Sequence, residues 1–272
     1  MAGAPPCDSE PFGRLMQAKR VWAVACSHGE AERVAALHDR LAERFEPGDR
    51  LVYLGDYFGY GPDAAGVVDA VLSFRRAVLA QPNSFLGDVV TLRGSQEEMW
   101  QRLLELQFAP NPREVLGWML DHGVAATLGS YGVDPRPGVA ACRDGVLAIT
   151  RWTGTVRAAV ASRPGHRQFL TALRRAAFTA EGDLLFVNAG VDPGKPLELQ
   201  RDVFWWGGRR DLLELDAPFA GFRRVVCGYH RRRAGLTETE YAVSLDAGCG
   251  FGGKLIAACF APDGTILARL AA

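Results

Sequence analysis

The chain has no surplus of either charge: 31 Lys and Arg balance 31 Asp and Glu over 272 residues. No global field therefore favours nucleic acid or an anionic membrane, and any anion site has to be local. No apolar run approaches the length of a membrane span. Met1 to Arg20, with Pro5-Pro6 and acidic residues, lacks the apolar core of a signal peptide. A soluble, cytoplasmic protein is expected, with neither nucleic acid nor membrane as partner. The six cysteines (Cys7, Cys26, Cys142, Cys227, Cys249 and Cys259) show no framework spacing, which predicts reduced thiols. Histidine is scarce as well, at five residues: His28, His38, His122, His166 and His230. A histidine-rich metal centre is thereby excluded. No internal repeat or low-complexity tract stands out.

What is present is a core: 48% of residues are hydrophobic, enough for one sizeable α/β domain. Short apolar runs recur at Val21–Val24, Leu51–Leu54, Val89–Leu92, Leu184–Val187 and Val225–Cys227. Runs of this kind predict strands covered on both faces. Gly48-Asp49, Gly87-Asp88 and Gly182-Asp183 supply turns ahead of three of them. Helical stripes follow the first three strands: Val34, Leu37, Leu41 and Phe45; then Ala64, Val67, Val68, Val71 and Leu72; then Met99, Trp100, Leu103 and Leu104. Residues 109–180 lack strand rhythm, carry five prolines and read as a helical cap insertion, with helices near Arg113–His122 and His166–Phe178. From Val225 onward the pattern predicts a β-meander, with Pro262-Asp263-Gly264 as a hairpin turn. The expected organisation is an N-terminal tail over 1–19 and a single domain over 20–270.

Five segments follow strands directly: Ala25-Cys26-Ser27-His28-Gly29, Gly55-Asp56-Tyr57-Phe58-Gly59-Tyr60-Gly61-Pro62, Arg93-Gly94-Ser95-Gln96-Glu97, Val187-Asn188-Ala189-Gly190 and Val226-Cys227-Gly228-Tyr229. In open α/β sheets the ligand site lies at the carboxyl ends of strands, so these segments are expected to converge. Their order and wording resemble the calcineurin-like metallophosphoesterases, in particular the bacterial serine/threonine-protein-phosphatase-like branch. The resemblance covers about Arg20 to Leu270, including Thr127-Leu128-Gly129-Ser130-Tyr131-Gly132-Val133 in the cap. It implies a two-sheet β-sandwich flanked by helices and hydrolysis of phosphate esters by two metal ions. Such ions, about 3.5–4 Å apart, lower the pKa of a bridging water and clamp phosphate oxygens, while a nearby acid protonates the leaving oxygen.

Against that pattern the chain departs at most ligand positions. The family's GDxHG reads Ala25-Cys26-Ser27-His28-Gly29, keeping the histidine and replacing the aspartate with Cys26. GDxxDRG keeps Asp56, which the resemblance makes the bridging ligand, but has Gly59 and Tyr60 for its second aspartate and its arginine. RGNHE has Ser95 for the asparagine ligand and Gln96 for the general-acid histidine. A glutamine amide cannot give a proton to a leaving alkoxide at ordinary pH. Asn188 replaces a histidine ligand, and Tyr229 replaces the histidine of the final Gly-His pair. Only His28 and Asp56 remain unchanged.

These departures point to a pseudophosphatase: a binding or regulatory protein with no hydrolytic centre and no cofactor, recognising a protein partner or a phosphorylated ligand. Arg93 is retained from the third motif, and Arg209 or Arg210 lies near the family's further arginine, so these three are the phosphate-binding candidates, and the Arg231-Arg232-Arg233 run is a further source of a local anion site. The alternative is an active phosphoric ester hydrolase with a rebuilt site for one divalent ion, zinc, manganese or iron. Cys26 and His28, two apart on an extended strand end, face the same side and with Asp56 offer a set that zinc accepts, with Asn188, Cys227 or His230 as a further ligand. A third reading is a redox-responsive binder using Cys26 and Cys227. His38, His122 and His166 are expected at the surface or at helix ends.

Overall fold

The protein is described by a computed structural model over residues 11–272. Eleven strands are found among these residues: β1 (Phe12–Leu15), β2 (Arg20–Val24), β3 (Asp49–Tyr53), β4 (Val89–Thr91), β5 (Ala176–Thr179), β6 (Leu184–Val187), β7 (Arg224–Cys227), β8 (Thr237–Glu238), β9 (Ala242–Ser244), β10 (Ile256–Phe260) and β11 (Ile266–Ala271). They form a six-stranded sheet, ordered β1-β5-β6-β7-β9-β8, and a five-stranded sheet, ordered β11-β10-β2-β3-β4. β2, β3 and β4 are mutually parallel, as are β6, β7 and β9, so their carboxyl ends point one way within each sheet.

The alternation of side chains along β6 and β7 builds the sandwich. Leu184, Phe186 and Val226 enter the core between the sheets, where Phe186 meets Phe260 at 6.1 Å between ring centroids. Leu185, Val187, Val225 and Cys227 point the other way, into a second core with Phe204, Trp205 and Phe222. Both faces are therefore buried, which explains runs that are apolar throughout. Helices α1 (Ala31–Ala42), α2 (Ala64–Leu79) and α3 (Ser95–Leu104) follow β2, β3 and β4 as the stripes predict, and Asp63 caps α2 by accepting from Gly66 N at 2.7 Å.

The chain between 109 and 180 is largely helical: α4 (Pro112–Met119), a π-type turn (Leu120–Val124), α5 (Ala125–Ser130), α6 (Arg136–Asp144), α7 (Val146–Ala161) and α8 (His166–Ala172). The stretch ends differently from expectation, because Ala176–Thr179 is β5 rather than the tail of a helix. The expected 1–19 tail also contains structure: β1 pairs in parallel with β5, and Leu15 is fully buried. Residues 1–10 lie outside the described part. The expected C-terminal meander is corrected too. β7 and β9 are parallel, and the chain changes sheets between β9 and β10, so the region holds two separate antiparallel pairs, β8–β9 and β10–β11, rather than one meander. No helix among the described residues is long and apolar enough to cross a membrane.

Candidate functional site

The loops after β2, β3, β4, β6 and β7 meet where the sequence places them. His28 N and Ser27 N donate to Asp56 O, tying the first loop to the second, and Gly228 N donates to Asn188 O, tying the fourth to the fifth. Both retained ligand residues occupy left-handed backbone, His28 at φ +47° and Asp56 at φ +51°. Asp and His are among the few side chains that tolerate this region, so their retention has a structural reason alongside any chemical one.

Asp56 is fully buried, and its carboxylate is surrounded by donors. Oδ1 accepts from Ser95 Oγ at 3.0 Å and Gln96 N at 2.8 Å, while Oδ2 accepts from Asn188 Nδ2 at 3.0 Å. Asn188 Nδ2 also donates to Leu54 O at 2.8 Å and approaches Cys26 Sγ at 3.2 Å. Because Leu54 O can only accept, it fixes the amide with its NH2 toward Asp56 and Cys26 and leaves Asn188 Oδ1 without a partner. The substituted side chains of Ser95 and Asn188, with the backbone N–H of Gln96, thus bring O–H and N–H groups to the carboxylate that the resemblance assigns to metal ions.

Cys26, His28 and Asp56 form a group whose ligand atoms lie within 4.8 Å of one another, the one such group of metal-binding type among the described residues. Burial, then the charge of Asp56, pushes the Cys26 thiol well above its ordinary value. Burial lowers His28, with Asp56 opposing, so its imidazole is neutral, and its Nδ1 has no hydrogen-bond partner. These three side chains meet the geometric requirement for one soft-tolerant ion. They do not fit a two-metal centre: three side chains are too few to hold two ions, and an amide NH2 stands between Cys26 and Asp56.

Glu97 organises the second loop. It accepts from Asp56 N and Gly94 N through Oε2, and from Tyr57 N and Phe58 N through Oε1, all at 2.8–3.0 Å. Burial and then the Asp56 charge push it up to about 7, against those four donors.

Several expected site residues lie elsewhere. Arg93 binds Glu98 at 3.1 Å, which engages its guanidinium away from Asp56. Arg209 and Arg210 line a neighbouring groove with Asp192, Lys195 and Trp206, and neither lines the cleft over His28. His230 is turned to Asp211, donating from Nε2 at 2.7 Å while Nδ1 accepts from Arg232 N, so it is no ligand for the Cys26 group. Burial is the largest single influence on Asp211 and raises it, but the His230 bond, the Leu213 N–H and the Arg231 bond together hold the carboxyl down at about 2. Cys227 faces the second core, where burial raises its thiol to about 12, so the redox pair with Cys26 is not assembled. His38 and His166 are buried rather than superficial: His38 bonds Tyr53 Oη at 2.8 Å, and His166 bridges Tyr131 Oη and Asp69.

The site also contains Asp246, which motif reading did not single out, and Arg233 of the basic run that it did. Asp246, after β9, accepts from His230 N and Gly248 N at 2.8 Å; burial raises it, with those two bonds and the Arg233 charge opposing. Arg233 lies 3.3 Å above the Phe251 ring centroid. Above His28 opens a cleft of about 150 Å³ lined by Tyr60, Gln96, Trp118, Trp206, Tyr229 and Phe251 among others. The strand-end pattern Ser244-Leu245-Asp246-Ala247-Gly248, an apolar run broken by an acid and a glycine, is the signal that would have found Asp246.

No protein-family model matches the chain, and no curated protein matches it in sequence. Solved structures do match. A protein assigned provisionally as a diadenosine tetraphosphatase is 18% identical with a TM-score of 0.57, over 96% of this chain and 97% of that one. A cold-active protein-tyrosine phosphatase from a psychrophilic Shewanella species is 12% identical with a TM-score of 0.51, over 95% of this chain and 82% of that one. At such identities the likeness is one of fold. The chain has the metallophosphoesterase-type architecture, two mixed sheets with flanking helices, that its strand-end motifs imply.

Proposed function

We propose that this is a pseudophosphatase: a phosphoesterase-fold protein that binds a partner or ligand at its former catalytic cleft without hydrolysing it. The observation that carries this reading is the state of Asp56, whose carboxylate receives Ser95, Gln96 and Asn188 donors in place of ions. Gln96, at the general-acid position, donates its own Nε2 to His122 O at 3.0 Å and has no proton to give a leaving group. A cytoplasmic location, suggested by the reduced cysteines, belongs to the same proposal.

A second reading rests on the unpartnered Nδ1 of His28 beside Cys26 and Asp56. Here one divalent ion, ligated by these three residues, would supply an activated water for ester hydrolysis. Elemental analysis of protein purified without chelators separates the two. The pseudophosphatase reading predicts substoichiometric metal, unchanged in His28→Ala and Asp56→Ala. Near-stoichiometric zinc, manganese or iron that is lost in both variants would establish the second.

A further inference from the structure

We propose that the cleft above His28 binds a small single-ring aromatic carboxylate, ring first, with its anionic group held at the rim by Arg233. The inference deepens, and rests on, the reading of this cleft as a non-hydrolytic binding site.

Three independent features define the ligand. The first is the wall. Among the described residues, the exposed aromatic rings include Tyr60, Trp118, Trp206 and Phe251, and all four converge on this one cleft, at 37%, 47%, 44% and 38% exposure. Tyr60 and Phe251 are 4.5 Å apart between centroids, and Trp118 and Trp206 6.4 Å. Exposed rings gathered at one concave site favour a flat apolar body stacking between them. The volume of about 150 Å³ admits one ring, the size at which an engineered apolar protein cavity accepts benzene.

The second feature is the floor. Gln96 and His28 are 4% and 3% exposed, and Gln96 Oε1 and His28 Nδ1 both lack hydrogen-bond partners. Two glycines, Gly59 and Gly123, let the backbone pass close beside these atoms where any larger residue would collide with them. A Cβ at Gly59 would stand 2.9 Å from His28 Nδ1, and one at Gly123 would stand 3.0 Å from Gln96 Oε1. Orphaned polar atoms at the bottom of an aromatic cleft call for a ligand group that bonds them, and Gln96 Oε1 can only accept. The ring therefore carries an in-plane donor such as a phenolic hydroxyl.

The third feature is charge. Arg233 is the cation at the mouth, packed on Phe251 with its Nε unpartnered. Deeper down the charged groups are Asp56 and Asp246, both acidic and buried. An anionic group is thus repelled from the floor and attracted at the rim, which sets the ring-first orientation. One guanidinium matches one negative charge, which favours a carboxylate over a phosphate dianion.

Quenching of tryptophan fluorescence tests this, using 4-hydroxyphenylacetate, phenylacetate, 4-methylphenol and phenyl phosphate with the full chain. 4-Hydroxyphenylacetate is expected to bind saturably. Phenylacetate, lacking the donor, and 4-methylphenol, lacking the anion, should each bind about 5- to 10-fold more weakly. Arg233→Gln should erase the preference over 4-methylphenol alone, and Gln96→Leu the preference over phenylacetate alone, with melting curves confirming that each variant folds. The wild-type ligand series keeps the proposal falsifiable if a variant does not fold. Equal binding of all four ligands, tighter binding of phenyl phosphate, or no saturation through the low-millimolar range would overturn it. Turnover of an aryl phosphate would instead overturn the non-hydrolytic reading, and that result is read separately from the binding series.

Discussion

Asp56 is the residue on which the proposed reading turns. Its side chain accepts from one hydroxyl, one backbone N–H and one amide, and its left-handed backbone is one that asparagine also adopts. Asp56→Asn therefore leaves the backbone undisturbed and turns an amide NH2 toward Ser95, Gln96 or Asn188. A loss of about 1–3 kcal/mol is expected in urea unfolding, the cost of a buried donor facing donors. An unchanged or raised stability would mean that the carboxylate is an unpaired charge awaiting a cation. His38 carries a second prediction at this scale. Burial lowers it from 6.5 to about 4, so the fold favours its neutral form and its contribution is complete above 6.5 and lost as pH falls through 4. The amount is at most about 3 kcal/mol. Glu97 acts in the opposite sense: its pKa is raised, so the fold holds that proton more tightly than the unfolded chain, and stability is lost as pH rises from 4.5 to about 7. Comparing His38→Gln with wild type isolates the histidine. The wild-type advantage in melting temperature should shrink steadily below pH 6.5, whereas a constant gap would refute the assignment. That His38 is buried was not legible in the sequence, because its stacking on Phe74 and its bond to Tyr53 join α1 to α2 and β3, contacts that only the tertiary fold creates.

At the scale of elements, most strands were readable, the edge strands β4 and β11 among them, while β1 and β5 were not. β2, β3, β6 and β7 are apolar on both faces and announce themselves, since both faces meet a core. β1 and β5 are four residues each and pair with one another at the edge of their sheet, so their patterns are short and partly polar. Their existence depends on each other rather than on local propensity. Leu15 tests the point, being wholly buried in a segment whose composition suggests a tail. Leu15→Ala should cost about 2–5 kcal/mol in chemical denaturation, as a cavity in a packed core does. A change within about 0.5 kcal/mol, the range of surface substitutions, would mean that β1 adds nothing. In the cap, α6 and α7 were missed for a different reason: Pro137, Gly138, Gly145 and several β-branched residues weaken the helical signal, and tertiary contacts supply what propensity does not.

For the molecule as a whole, the fold was legible because it is specified redundantly, by many buried strands, while the site was only half legible. Sequence placed Cys26, His28, Asp56, Gln96 and Asn188 together because all lie at strand ends in a known order. It did not foresee the partners of Arg93 and His230, because long side chains choose partners by distance in space, and Glu98 and Asp211 are close. It did point to the Arg231-Arg232-Arg233 run as a local anion site, but not to the packing of Arg233 on Phe251. The resulting molecule keeps a phosphatase architecture around an aromatic, hydrogen-bonded pocket. The central claim is that no hydrolytic centre remains, and the most direct test is the rate of 4-nitrophenyl phosphate hydrolysis by the wild-type chain with saturating manganese or zinc. The account predicts a rate indistinguishable from that of metal in buffer and unchanged by Asp56→Asn. Metal-dependent turnover above that background, lost in the variant, would contradict it.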